Sequence, residues 1–204
     1  MSETGQTPVL GAVLAGGESR RMGVPKEGVR LPDGRPMIGP VLSAMREAFG
    51  GVVVVGRCTG FDCGAFPWVT GLQDRHPGSG PLAGIEALLA SGLARGYVVA
   101  ACDQPLLSAG LLARLASGTS NSARFFRAEG NGEGLDPLPG YFPSEWLEPV
   151  QRAITEGRRG FRDLVKSLDV AWVPLPETEV PKLASVNTPE DLARLASARE
   201  AGRD

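Results

Sequence analysis

Histidine and cysteine are scarce in this 204-residue chain, which has a single histidine, His76, and three cysteines, Cys58, Cys63 and Cys102. One histidine makes the chain a poor candidate for a Ser-His-Asp or Cys-His hydrolase, since both designs use histidine as the general base. The odd number of cysteines argues against a disulfide framework, and their spacing does not match a zinc knuckle. The sequence therefore predicts neither a disulfide scaffold nor a Cys/His metal site.

An excess of one charge and long apolar runs are also missing. The 21 basic and 23 acidic residues leave a net charge of −2, which gives no bulk attraction to nucleic acid or to a membrane surface. No apolar run approaches the roughly 20 residues of a membrane-spanning helix. The N-terminal "MSETGQTPVLG" lacks the charged and apolar regions of a signal peptide. We therefore expect a cytoplasmic protein that binds neither nucleic acid nor membrane.

What the sequence does contain is an alternation of short apolar runs with segments of helical periodicity. Strands are predicted at 9–15, 51–57, 66–71, 97–103 and 169–176. Helices are predicted at 36–50, 80–96, 108–118, 144–157, 159–168 and 188–200. This alternation is typical of an α/β fold with a mostly parallel sheet between helices. We expect one Rossmann-like, three-layer αβα domain over residues 1–204, with residues 1–7 disordered.

The alternation is interrupted after residue 120. The segments "SARFFRAEG" and "LDPLPGYF" indicate two strands joined by the glycine-rich "EGNGEG". We expect residues 121–142 to form a small antiparallel excursion, inserted over one end of the sheet near the active site.

Glycines and cations are concentrated directly after the first predicted strand, in "LAGGESRRMGVPK" (14–26). Glycine at a strand end lets the backbone approach a ligand and present N–H groups to it. Arg20, Arg21 and Lys26 supply positive charge that suits a polyphosphate. The Walker A and GxGxxG patterns are both absent. By itself, the segment fits an anion site and a glycine-rich turn with solvated cations equally well.

Further along the chain, four segments extend this pattern. They are "GPLAGI" (80–85), "CDQP" (102–105), "LDPLPGYF" (135–142) and "SVNTPEDL" (185–192). With the LxGGxSxRMGxxK-like loop, these segments resemble the MobA-like nucleotidyltransferases, and within them the molybdenum cofactor guanylyltransferases. The resemblance covers nearly the whole chain and implies a nucleotide-diphospho-sugar-transferase-like fold.

The resemblance implies a specific set of site residues. The nucleotide would be bound by Leu14, Ala15, Gly16, Gly17, Lys26, Asp74, Gly80 and Asp103. Lys26, Arg21 and Asp103 would be catalytic, with Mg²⁺ on Asp103 and with Asn187 as second metal ligand or as a contact to the pterin. From the residues alone, a carboxylate at a strand end suits Mg²⁺, and it equally suits a cap on the following turn.

Two positions depart from the family pattern. Gly56 follows the second predicted strand, where asparagine is frequent, and Asp136 stands where glutamine or histidine is more usual.

The implied role of Asp74 is to accept hydrogen bonds from the N1–H and N2–H₂ groups of guanine.

The implied reaction transfers GMP from GTP to the phosphate of molybdopterin and releases pyrophosphate. The expected partners are GTP, molybdopterin and either molybdoenzyme apoproteins or other proteins of cofactor biosynthesis. The Leu-Ala-Gly-Gly sequence favours GTP, because cytidylyl relatives more often have Leu-Ala-Ala-Gly. Three alternatives stay open: a CTP-dependent sister enzyme, a same-fold enzyme with another phosphorylated acceptor, and a non-catalytic module that delivers the cofactor.

Overall fold

The computed structural model describes residues 9–16, 25–75, 80–118, 122–129, 137–158, 161–166 and 168–201. The predictions for Gly17, Arg21 and Asp136, and the expected disorder of residues 1–7, lie outside these residues. None of the helices in the described part of the chain is both long and apolar enough to cross a membrane.

Seven strands of the described residues form one sheet. They are β1 (Val9–Leu14), β2 (Val52–Val55), β3 (Val69–Leu72), β4 (Gly96–Ala101), β5 (Ala123–Ala128), β6 (Gly140–Pro143) and β7 (Val170–Leu175). Their order across the sheet is β3-β2-β1-β4-β6-β5-β7, and β6 alone among them runs antiparallel to its neighbours. The predicted mostly parallel sheet is confirmed.

Helices cover both faces of this sheet. They are α1 (Ile38–Phe49), α2 (Pro81–Ser91), α3 (Ala109–Ala116), α4 (Leu147–Thr155), α5 (Phe161–Lys166) and α6 (Pro189–Ala201). Alternate side chains of a strand point to opposite faces, so Val53 and Val55 pack in the cluster formed with α2, α4 and α5. Val52 and Val54 pack in the cluster formed with α1 and α3. The all-valine run of β2 is thus buried on both faces, as is usual in a parallel sheet, and the three layers are confirmed.

The antiparallel pair is real, but its expected position was wrong. β6 lies inside the sheet, where it pairs antiparallel with β4 and with β5, and β5 continues parallel to β7. The cause is apolar burial: Phe125, Phe126 and Phe142 are completely buried, which requires cover on both faces of the sheet. The strand begins only at Gly140, since Pro137 and Pro139 have no N–H to donate to a neighbour.

The topology places several chain segments at one edge. Since β1, β2, β3 and β4 are parallel, residues that follow them meet at the carboxyl edge of the sheet, where ligands bind in open α/β folds. Backbone hydrogen bonds hold these segments together, from Ala15 N to Val55 O (2.8 Å) and from Cys102 N to Leu14 O (3.1 Å). The segment before α6 joins them through a bond from Val186 N to Asp103 O (2.8 Å).

Candidate active site

Three polar side chains from distant parts of the chain meet at this edge. The ammonium Nζ of Lys26 donates to Oδ2 of Asp103 at 2.7 Å and to Oδ1 of Asn187 at 2.5 Å. Asp103 is only 7% exposed, so the lysine provides the opposite charge that a buried carboxylate needs. The structure thus brings together two predicted catalytic residues and the predicted second metal ligand.

The end of β4 next to Asp103 is held by the side chain of Gln104, a residue whose role the sequence did not indicate. Gln104 is 2% exposed. Its Oε1 accepts from Ala101 N (3.0 Å), while Nε2 donates to the carbonyls of Leu138 (2.9 Å) and Leu183 (3.0 Å). One side chain therefore links the end of β4 to the start of β6 and to the segment that leads to Asn187. Gln104 differs from an ordinary exposed glutamine in a turn by its burial, which the sequence does not show.

Asn187 is placed by the start of α6. The Oγ1 of Thr188 accepts from Asp191 N (3.2 Å), and Oδ2 of Asp191 accepts from the backbone N–H groups of Asn187 and Thr188, both at 3.0 Å. This reciprocal arrangement is a capping box with Thr188 as the N-cap. The hydrogen bonds, first of all that from Asn187, lower the pKa of the Asp191 carboxyl.

Lys26 is presented by a short 3₁₀ turn, Lys26–Gly28. Beyond it, Val29 is buried in a small cluster with Met37 and Val186, the residue before Asn187. Met37 N donates to Val29 O at 2.7 Å. The lysine backbone is therefore held against the same segment that carries Asn187.

Gly16 and Gly56 form a close contact between the ends of β1 and β2. A Cβ on Gly56 would lie 2.0 Å from the carbonyl oxygen of Ala15, and a Cβ on Gly16 would lie 3.1 Å from N and O of Arg57. Both glycines have positive φ, 101° and 82°, a conformation that side chains disfavour. The departure at Gly56 thus has a physical reason, since this backbone leaves no space for the asparagine frequent in the family.

The remaining predicted nucleotide residues lie along the same edge. Leu14 ends β1, and Asp74 lies half-buried just after β3. Gly80 is the N-cap of α2, with Pro81 at the first helical position. At about 4.8 Å between neighbouring strands, Asp74 starts about 10 Å from the loop after β1. The strand order thus places Asp74 at the same edge but two strands away from the end of β1.

Known relatives identify the class of protein. A family model described as the MobA-like NTP transferase domain matches residues 11–172. The chain therefore belongs to the MobA-like NTP transferase family, and it is a nucleotidyltransferase.

Individual relatives extend this match over nearly the full chain. The chain is 30% identical over 201 residues to a molybdenum cofactor guanylyltransferase of Desulfosudis oleivorans, covering 96% of this chain and 98% of the relative. It is 33% identical over 194 residues to one of Xanthomonas euvesicatoria, covering 93% and 95%. The crystal structure of molybdopterin-guanine dinucleotide biosynthesis protein A from Archaeoglobus fulgidus superposes with a TM-score of 0.74 at 27% identity, covering 95% of this chain and 100% of that chain.

Proposed function

We propose that this nucleotidyltransferase transfers GMP from GTP to the phosphate of molybdopterin, releases pyrophosphate and forms molybdopterin guanine dinucleotide. The observation that carries the proposal is the cluster of Lys26, Asp103 and Asn187 at the carboxyl edge of the sheet. The guanylyltransferases of Desulfosudis and Xanthomonas, which align over nearly the whole chain, support the choice of nucleotide and acceptor.

Lys26 has a donor to spare for a phosphate. An ammonium group carries three N–H donors, and Asp103 and Asn187 accept two of them. The third has no acceptor among the residues that the structure describes. It is available to an oxygen of the transferring phosphate, where a fixed positive charge stabilises the charge that develops in the transition state. In this role the lysine keeps its protein partners, so it is already oriented before substrate arrives.

The donor set also fits Mg²⁺. Oδ1 of Asp103 is buried and has no hydrogen-bond partner among the described residues. Oδ1 of Asn187, which also accepts from Lys26, would offer its second lone pair as another hard oxygen ligand. The described residues contain no cluster of three His, Cys, Asp or Glu side chains that could hold a metal. Asp103 and Asn187 would therefore hold the ion with few protein ligands, as is usual for Mg²⁺ bound with phosphates and water. When bound, the ion would neutralise phosphate charge during transfer.

The proposed acceptor needs no base from the protein. A phosphate monoester has its second pKa near 6, so it is largely a dianion at pH 7. Its oxygen can attack the α-phosphorus without losing a proton, and the bond to the pyrophosphate leaving group breaks. What this chain contributes is position and charge, and a site of lysine, carboxylate and amide is sufficient for that.

The preference for GTP over CTP is supported at Gly16. Cytidylyl relatives more often have alanine at this position, and here a Cβ would be 3.1 Å from the backbone of Arg57. We expect Gly16→Ala to shift this loop and to lower kcat/KM for GTP more than for CTP. Equal losses with both nucleotides would remove this support.

The proposal is tested by measuring pyrophosphate release by the purified protein in the presence of Mg²⁺ and molybdopterin. GTP, CTP, ATP and UTP are compared as the nucleotide. We expect release that requires the pterin, prefers GTP and is abolished in Lys26→Ala and Asp103→Ala. A preference for CTP would assign the protein to the cytidylyl reaction. Binding of GTP without release would contradict the proposed acceptor.

The Asp103→Ala variant also distinguishes an enzyme from a non-catalytic module that only delivers the cofactor. If the protein only carried finished cofactor to a molybdoenzyme apoprotein, Asp103→Ala would still activate that apoprotein when given the dinucleotide. Loss of pyrophosphate release together with unchanged delivery would show that both activities exist and are separable.

A further inference from the structure

Glu27 is a buried carboxylate next to the site that has no part in the reaction proposed above. It is 2% exposed and directly follows Lys26 in the same 3₁₀ turn. Burying a carboxylate is costly unless hydrogen bonds compensate the lost hydration. Its hydrogen-bond partners therefore indicate why it is there.

Those partners lie on the loop after β2. Oε1 of Glu27 accepts from the backbone N–H groups of Thr59 (3.1 Å) and Gly60 (3.4 Å). The two segments also touch through their backbones, since a Cβ on Gly28 would lie 2.6 Å from the carbonyl oxygen of Gly60. The turn that carries Lys26 and the loop at 59–60 are thus packed together without room for an added side chain and are fastened by one carboxylate.

The turn is held on its opposite side by Val29, which packs with Val186 beside Asn187. The backbone of Lys26 is consequently fixed between two segments, and its side chain spans from there to Asp103. A lysine has a flexible four-carbon stem, so the position of its backbone decides whether the ammonium is held in place before the reaction.

We propose that Glu27 is a positioning residue, whose carboxylate clamps the Lys26 turn to the N–H groups of Thr59 and Gly60 and thereby sets the ammonium against Asp103 and Asn187. The kinetic consequence rests on the proposed function. The clamp itself does not, because it fixes a loop whose order can be measured without substrate.

The reactivity of the Cys58 and Cys63 thiols reports on the order of this loop. They flank the clamped residues and line a cavity of about 600 Å³ together with Thr59 and Gly60. Burial is the largest cause that raises the pKa of both thiols, and the charge of Glu27 raises it further. Both thiols should therefore react slowly while the clamp is intact, because the thiolate is the reactive form.

The test compares Glu27→Gln with Glu27→Ala in the full chain. Glutamine keeps an oxygen that can accept from both N–H groups, whereas alanine removes it. We expect alanine to lower kcat for pyrophosphate release at least about 10-fold with KM for GTP changed less than about 3-fold, as for a loss of transition-state stabilisation. Both variants remove the charge of Glu27, and only alanine also removes the oxygen that accepts from the loop, so without nucleotide the thiols of the alanine variant should react with DTNB at least about 10-fold faster than those of the glutamine variant. The kcat of the glutamine variant should stay within about 3-fold of the native value.

Val150→Ala is the matched control, because it truncates a completely buried residue of α4 and lowers stability without touching the clamp. It should leave kcat and the DTNB rate unchanged.

If Glu27→Ala does not fold, Glu27→Asp replaces it, since its carboxylate is one methylene too short for the two N–H groups. Native DTNB rates and native kcat in these variants would overturn the proposal. Faster thiol reaction in a chain that releases no pyrophosphate even in native form would support the clamp and contradict the proposed function.

Discussion

The ammonium of Lys26 lies 2.7 Å from the carboxylate of Asp103, although 77 residues separate them in the sequence. The side chains are 23% and 10% exposed, so the pair is shielded from water more than a surface ion pair is. Such pairs lose most when one partner is removed and the other is left charged and unpaired. The relationship therefore makes both residues sensitive to single substitutions.

We expect Lys26→Met and Asp103→Asn each to lower kcat/KM for nucleotidyl transfer at least about 100-fold. The first removes the positive charge proposed to face the phosphates, and the second removes the carboxylate that pairs with Lys26 and would hold Mg²⁺. Steady-state pyrophosphate release measures this. Arg35→Ala is the control, because it breaks an exposed pair with Asp33 that should contribute little. Activity within about 3-fold of native in Asp103→Asn would rule out its catalytic role.

Replacement of Gln104 should destabilise the fold as well as the site. Gln104→Ala leaves Ala101 N and the carbonyls of Leu138 and Leu183, all partly buried, without this partner, at about 1 kcal/mol for each group, the low end of the range for an unsatisfied buried group. We expect the free energy of unfolding to fall by about 3 kcal/mol or more, measured by urea denaturation. The exposed Gln73→Ala should change it by less than about 0.5 kcal/mol. Similar small effects in both variants would show that the Gln104 bridge is not stabilising.

Introducing at position 56 the asparagine that is frequent in the family should destabilise the fold of this chain. Gly56→Asn combines a positive φ with a contact of 2.0 Å to Ala15 O, so we expect a loss of about 3 kcal/mol or more in unfolding free energy. Gly34→Asn isolates the backbone effect, since Gly34 also has a positive φ but no described heavy atom within 4 Å of a Cβ built there. It should cost about 1 kcal/mol. Equal losses at the two positions would contradict the proposed clash.

Asp191 should make stability depend on acid pH. Its carboxyl has a pKa lowered mainly by the hydrogen bond from Asn187, so its contribution is complete above the ordinary carboxyl pKa of about 3.9. That contribution is lost as the pH falls through the lower folded-state value. The measurement is the difference in unfolding free energy between native protein and Asp191→Asn at pH 7, 5, 4 and 3. We expect it to be constant from pH 7 to 5 and to shrink below 4; a constant difference down to pH 3 would exclude this linkage.

Strands and helices with strong local signals could be placed from the sequence. The strand predicted at 51–57 became β2, and the helix predicted at 188–200 became α6. The site residues Lys26, Asp103 and Asn187 were also identified, although as implied by resemblance to a family. The position of β6 in the sheet could not be predicted from the sequence, because strand order depends on which distant strands pair.

Gln104 and Glu27 show the same limit at the level of single residues. In the sequence, Gln104 is a polar residue within the "CDQP" segment and Glu27 directly follows the glycine-rich loop at 14–26. In the structure, each is 2% exposed and bonded to a loop far along the chain.

Local patterns were enough to predict the alternation of strands and helices and the chemical groups available to the site, because these depend on neighbours within a few residues. The position of β6 within the sheet, the close contact of Gly56 with Ala15 and the contacts among Lys26, Asp103 and Asn187 followed only from the folded chain. Burial and long-range hydrogen bonds arise when segments separated by many residues pack together, and a local pattern carries no information about that packing.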